Sequence, residues 1–138
     1  LEDRIIISSF DWRILYELKK QNSRILRGFI TLQQDLSTTK KNIYENSPWM
    51  AKNYSLDQLF LIPNIIKSLE GHVWSVFYRD VTKQNVELAH KHGLATCVWT
   101  VNREQDIIRM IEYGVDGIIT DYPKKVQEIC KSKNISWF

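Results

Sequence analysis

Short β-branched runs alternate with amphipathic helical stretches along this chain, and the alternation has a nearly constant period. Strand signals begin near Ile5, Ile25, His72, Ala95 and Gly117; apart from one long connection they return every twenty-odd residues. Few folds accept that pattern. A strand joined to the next through a helix lies parallel to it, because a parallel pair needs a crossover of about a dozen residues or more. The sequence therefore predicts an α/β fold built as a parallel sheet. It supplies four to five consecutive β/α units of the eight that an eight-stranded barrel needs, a partial (β/α)8 TIM-type barrel.

Local signals fix the units. Ile5-Ile6-Ile7-Ser8-Ser9-Phe10 is followed by Asp11, a good N-cap residue, and then by Trp12, Leu15 and Leu18 at helical spacing. Lys19 and Lys20 fall in the last turn, where the helix dipole favours cations. The second strand runs from near Ile25 through Leu32. Its connection, residues 33–54, is polar, Lys-rich and interrupted by Pro48, far longer than the roughly 2–6 residues usual for such loops. Trp49, Met50 and Tyr54 imply that part of it packs. A helical pattern resumes at Ser55, with Pro63 expected to bend or split it. His72 to Tyr78 is the third strand, with Thr82 as N-cap and Gly93 as a left-handed C′ residue of the following helix. Ala95 to Val101 is the fourth. Asn102 and Gln105 fit a capping box, and Gly114 closes that helix. Gly117 to Thr120 is the fifth strand; Asp121 reads as a helix-start residue ahead of Pro123. The whole of 1–138 reads as one domain, with 33–54 a long insert and 133–138 a tail.

Composition narrows the classes. The chain is 43% apolar and 25% charged, as soluble globular proteins are. No apolar run reaches the roughly 18–20 residues of a membrane span. The net charge of +3 is mild, and its lysines and arginines are interleaved with acids, whereas nucleic-acid binders gather them on one face. No nucleic-acid partner is expected. The only cysteines, Cys97 and Cys130, lack a second Cys or a His at metal-ligand spacing. Two reduced thiols favour a cytoplasmic setting. The opening Leu1-Glu2-Asp3, without an initiator Met, looks cut or processed. A signal or membrane segment upstream is left open.

The most specific stretch is Trp99-Thr100-Val101-Asn102 followed by Gly114-Val115-Asp116-Gly117-Ile118-Ile119-Thr120-Asp121-Tyr122-Pro123. It resembles the C-terminal end of the glycerophosphodiester phosphodiesterase family. Ser8-Ser9-Phe10, Arg27-Gly28 and Ala89-His90 with Gly93-Leu94 fall in that family's order, so the resemblance covers nearly the whole chain except the insert. It implies a (β/α)8 barrel that hydrolyses a glycerophosphodiester to glycerol phosphate and an alcohol with a divalent cation, Ca or Mg. It also implies that the catalytic histidines, one of them in a His-Arg-Gly motif, and the acidic metal ligands lie in the first half of the barrel. This sequence contains no His-Arg-Gly and no Glu-Asn-Thr. The resemblance thus implies a chain without catalytic or metal-binding groups, whose partner is the missing N-terminal part of the barrel.

Barrel sites lie at the C-terminal ends of the strands, which selects the candidates. By resemblance, Phe10 and Trp99 line the substrate pocket; core packing is the alternative for both. Ala95 and Cys97 share a face with Trp99, so small residues sit beneath a large ring. Asn102, Asp121 and Arg79 are secondary pocket candidates. Helix capping competes for Asn102 and Asp121, and a solvated loop pair with Asp80 competes for Arg79. His90 and His92 are two apart and do not share a helix face, which argues against a metal pair. His72 starts a strand, at the end of a barrel that serves stability.

The pattern is compatible with two other functions. A non-catalytic partial barrel would assemble with another chain or with itself through its open sheet edges. A barrel isomerase or aldolase would want a catalytic Lys or Glu at a strand end, and none falls there.

Overall fold

The computed structural model describes residues 4–33, 43–44, 46–59 and 61–136. In chain order the elements are β1 (Ile6–Ser9), α1 (Trp12–Gln21), β2 (Leu26–Thr31), α2 (Leu56–Leu59), α3 (Ile62–Ser68), β3 (Val73–Phe77), α4 (Lys83–Lys91), β4 (Ala95–Trp99), α5 (Glu104–Tyr113), β5 (Gly117–Ile118) and α6 (Pro123–Ser132). The strands form one open sheet in the order β1-β2-β3-β4-β5, and every neighbouring pair is parallel. This is the expected α/β class, a five-stave arc of a barrel.

Local chemistry explains most boundaries. Asp11 caps α1, its carboxylate accepting from the Arg13 N–H, and the Thr82 hydroxyl accepts from the Asn85 N–H to cap α4. Gly114 closes α5 in the left-handed conformation, at φ 78°, where an L side chain would be strained. The helical run after Ser55 splits as its proline demands. Pro63 sits in the first turn of α3, where its missing N–H costs nothing, and the break falls just before it.

Two expected caps are corrected. Arg103, not Asn102, is the N-cap of α5, and Tyr122, not Asp121, is the N-cap of α6; neither makes a side-chain capping bond. Asn102 and Asp121 bond each other instead, across 19 residues of sequence. A local cap pattern says nothing about a partner that the next β/α unit brings alongside.

Each strand presents alternate residues to two different surroundings. On the convex face Phe29, Trp74, Val76 and Val98 are buried under helix residues such as Trp12, Leu15, Ile66, Val86 and Ile107. This is the core. Trp12 meets Phe29 edge-on at 5.1 Å, and its indole N–H donates to the Ile30 carbonyl. The Trp74 indole N–H donates to the Thr31 hydroxyl at 2.9 Å, so two buried polar groups satisfy each other.

The concave face carries small residues. Ser8 pairs with Gly28, while Ser75, Cys97 and Gly117 follow one another in register on β3, β4 and β5. A Cβ on Gly117 would come within 2.7 Å of the Cys97 sulfur, so the strands approach as closely there as only glycine permits.

The N-terminal ends of the strands are tied by polar contacts. Arg27, only 2% exposed, donates to the carbonyls of Ser23, Ile25 and Glu70 and so joins β2 to the turn before β3. The Arg27 N–H donates to Nδ1 of His72, and Lys19 pairs with Glu70. His90 Nε2 lies 2.8 Å from the Asp116 carboxylate, which also accepts from the Thr96 N–H.

Of the insert, residues 34–42 and 45 lie outside the described set. Of the residues expected to pack, Met50 is buried and Tyr54 is partly buried against the core, whereas the Trp49 side chain is exposed; Ile43 is also buried, and the Trp49 carbonyl accepts from the Trp12 N–H at the start of α1. In the tail, the Ile135 N–H turns back onto the Cys130 carbonyl.

Candidate functional site

The C-terminal ends of the strands form one rim, and three aromatic rings meet there. Phe10 follows directly on β1, Phe77 ends β3 and Trp99 ends β4. Phe10 meets Trp99 edge-on with ring centroids 5.5 Å apart, and Phe77 is tilted against Trp99 at 5.3 Å. Such edge-on pairs place the positive rim of one ring against the negative face of the other. The sheet therefore curls far enough to bring the ends of its first and fourth strands together across the concave face. The Trp99 indole N–H donates to the Ser75 carbonyl, which fixes the ring over the small-residue strip. The peptide bond from Trp99 to Thr100 is cis.

The sequence pointed to Phe10 and Trp99 separately, and the structure brings them into contact. Phe77 was missed. Its signal was a place in register beside Trp99, which a strand of buried apolar residues does not reveal.

Beside these rings sits a polar clasp. The Asn102 side-chain amide donates to the Asp121 carboxylate at 2.6 Å, and its Oδ1 accepts from the Thr120 hydroxyl and the Asp121 N–H. Lys125 reaches the Asn102 carbonyl. One asparagine thus ties the loop after β4 to the loop after β5. Arg79 is exposed, and its Nε donates to the Tyr78 hydroxyl; the Asp80 carboxylate accepts from the Gln33 N–H.

The histidines and cysteines lie elsewhere. All three histidines stand at the opposite rim, His72 just before β3 and His90 and His92 just before β4. His90 faces Asp116, whereas His92 bonds Asn64, so the two serve separate partners. Burial, helped by Asp116, pushes the Cys97 thiol up from its ordinary range, the wrong direction for a nucleophile. Among the described residues no three His, Cys, Asp or Glu side chains converge to hold a divalent cation. The rim can pack apolar groups and orient two loops, and among the described residues no histidine stands there. Among the described residues no helix is long and apolar enough to cross a membrane.

Comparison with known proteins agrees with this geometry. The family model described as the glycerophosphoryl diester phosphodiesterase family matches residues 1–125. A glycerophosphodiester phosphodiesterase of Caldanaerobacter subterraneus is 31% identical over 123 residues, which are 89% of this chain and 41% of that protein. A crystal structure of a Silicibacter pomeroyi protein named for the same activity superposes with a TM-score of 0.78 at 32% identity, covering 99% of this chain and 41% of that one. An Oleispira antarctica phosphodiesterase, solved with the product sn-glycerol-3-phosphate, shares the fold with a TM-score of 0.63 at 18% identity, over 91% of this chain and 41% of its own. The chain therefore spans less than half the length of these relatives. With a match over nine-tenths of its residues and the same parallel β/α order, the chain belongs to the glycerophosphoryl diester phosphodiesterase family.

Proposed function

We propose that this chain contributes the C-terminal five β/α units and one apolar wall of a site that hydrolyses a glycerophosphodiester to glycerol phosphate and an alcohol, and that it contributes no catalytic group. The observation that carries this reading is the ring cluster of Phe10, Phe77 and Trp99 at the strand C-termini, in a member of this family whose three histidines all lie at the other rim. In barrels the chemistry occupies the C-terminal rim. Rings there, from buried Phe77 to exposed Phe10, exclude water from the reacting phosphodiester and offer an apolar face to the carbon skeleton of glycerol or of the alcohol. Asn102 and Asp121 hold the two adjoining loops in place, and Arg79, exposed after β3, is a cation near that rim able to meet a phosphate edge.

The family's divalent cation and its general acid–base histidines would come from elsewhere, since the described donor set does not fit a metal. Two unbridged cysteines support a reducing, cytoplasmic setting. The test is direct. The purified chain, given glycerophosphocholine with Mg or Ca ions, releases no glycerol phosphate on this reading. Metal-dependent release by the chain alone would overturn it.

A further inference from the structure

The insert between β2 and α2 brings one more large ring to the rim that carries Phe10, Phe77 and Trp99. The Ile43 N–H donates to the Leu32 carbonyl just past β2, and the Trp49 carbonyl accepts from the Trp12 N–H at 2.8 Å, two residues after Phe10. Ile43 and residues 46–50 therefore lie across the C-terminal ends of β1 and β2. They are held from below as well, since Ile43, Ser47 and Met50 are buried. The N–H groups of Ser47 and Met50 donate to the carbonyls of Tyr44 and Ser47, and the Ser47 hydroxyl accepts from the Trp49 N–H. Pro48 fixes its own backbone torsion within that turn. On this anchored backbone the Trp49 side chain is 41% exposed. Folding does not account for its identity. The tie to α1 is made by the main chain, so any residue at position 49 would supply it.

Resting on the functional reading above, we propose that Trp49 is a specificity-determining residue of the same site, extending the ring cluster outward to receive the alcohol part of the substrate, and that the alcohol it selects carries a quaternary ammonium, as choline does. The glycerol phosphate half is common to all glycerophosphodiesters, so a residue that selects among them acts on the alcohol. The chemistry of the rim decides which alcohol. Indole and phenyl faces attract a cation through the ring quadrupole, indole the most strongly, and quaternary ammonium groups are held in this way. Such a group has no N–H and asks for no hydrogen-bond acceptor. A primary ammonium, as in ethanolamine, brings three N–H donors that want acceptors. The carboxylates in the loops after β1, β3 and β5 are already engaged: Asp11 pairs with Arg13 at 2.6 Å, Asp80 accepts from the Gln33 N–H, and Asp121 accepts from Asn102. A polyhydroxyl alcohol such as glycerol wants polar partners where the rings stand.

The experiment titrates the nitrogen-15-labelled 138-residue chain with glycerophosphocholine, glycerophosphoethanolamine and sn-glycerol-3-phosphate, and follows the tryptophan indole signals by nuclear magnetic resonance. The Trp49 signal is the one lost in Trp49→Ala. Glycerophosphocholine is expected to shift the Trp49 and Trp99 signals and to bind about two- to fivefold tighter than the ethanolamine diester, the worth of one exposed cation–π contact. Trp49→Ala is expected to abolish that preference and to leave the affinity for sn-glycerol-3-phosphate unchanged, and Trp49→Phe to keep part of it. Tyr16→Ala, at an equally exposed ring on α1, is expected to change neither. All these side chains are exposed, and circular dichroism checks the fold of each variant. Equal affinity for the two diesters, or a preference that survives Trp49→Ala, overturns the proposal. If sn-glycerol-3-phosphate still shifts the Trp99 signal in that event, the functional reading stands without it. If none of the three compounds moves either signal, both fall.

Discussion

Trp74 and Trp99 stand one strand apart on opposite faces of the same sheet. Trp74 is fully buried on the convex side, its indole N–H satisfied by the Thr31 hydroxyl. Trp99 is half-buried on the concave side, held by a backbone carbonyl and flanked by Phe10, which is itself 39% exposed. The convex face is closed by helices from this chain. The concave face and its rim are shaped and anchored, yet among the described residues they are not closed over. Identical chemistry, an indole with one hydrogen bond, serves stability where its surroundings are complete and offers a surface where they are not.

The largest test of that contrast is Trp74→Ala, expected to cost about 3–5 kcal/mol through the cavity and the lost hydroxyl partner. Urea unfolding measures it, and a loss under about 1 kcal/mol would mean the convex face is no tighter than the concave one. Arg27→Met comes next. It keeps the length of the stem and strips three carbonyls of their donor, at about 1–3 kcal/mol. An unchanged midpoint would show that the polar ties at the strand N-termini are ornamental.

A smaller effect is set by pH. Burial and the Arg27 charge hold the His72 imidazole below its ordinary value of 6.5, and its Nδ1 must stay unprotonated to accept the Arg27 N–H. The unfolded chain takes up a proton near 6.5 that the folded chain refuses, so stability is full above that value and falls as pH drops below it. His72→Asn keeps an acceptor without a titration, and its melting temperature is expected to fall less between pH 7.5 and 5.5 than that of the parent. Equal slopes would remove His72 from the account. Smallest is Phe10→Ala, expected to cost at most about 1 kcal/mol, the worth of one aromatic pair. A larger loss would make Phe10 a core residue and erase the difference between the faces.

Much of the fold was legible because its signals are local. Asp11, Thr82, Gly93 and Gly114 each act within a turn of where they stand, and the β/α period needs no knowledge of distant contacts. What stayed hidden is whatever depends on a neighbour from another unit. Asn102 matched a capping pattern with Gln105, yet its partners lie at Thr120 and Asp121. Arg27, a charge inside a strand, gave no sign that three carbonyls from the surrounding turns would enclose it. Phe77 looked like any buried strand residue until register set it beside Trp99. At the site, Phe10 and Trp99 were chosen by resemblance and by strand-end position, not by any visible link between them.

The order of strands in the sheet is also their order along the chain. Among the described strands, each one after β1 therefore finds the neighbour made just before it already in place. Loop closure is confined to single units, the longest being the connection between β2 and β3. Sheets of this kind can grow as they are synthesised, one stave at a time, with little backtracking. The same property makes the polypeptide divisible: an interruption between any two units separates pieces whose internal pairings are all intact.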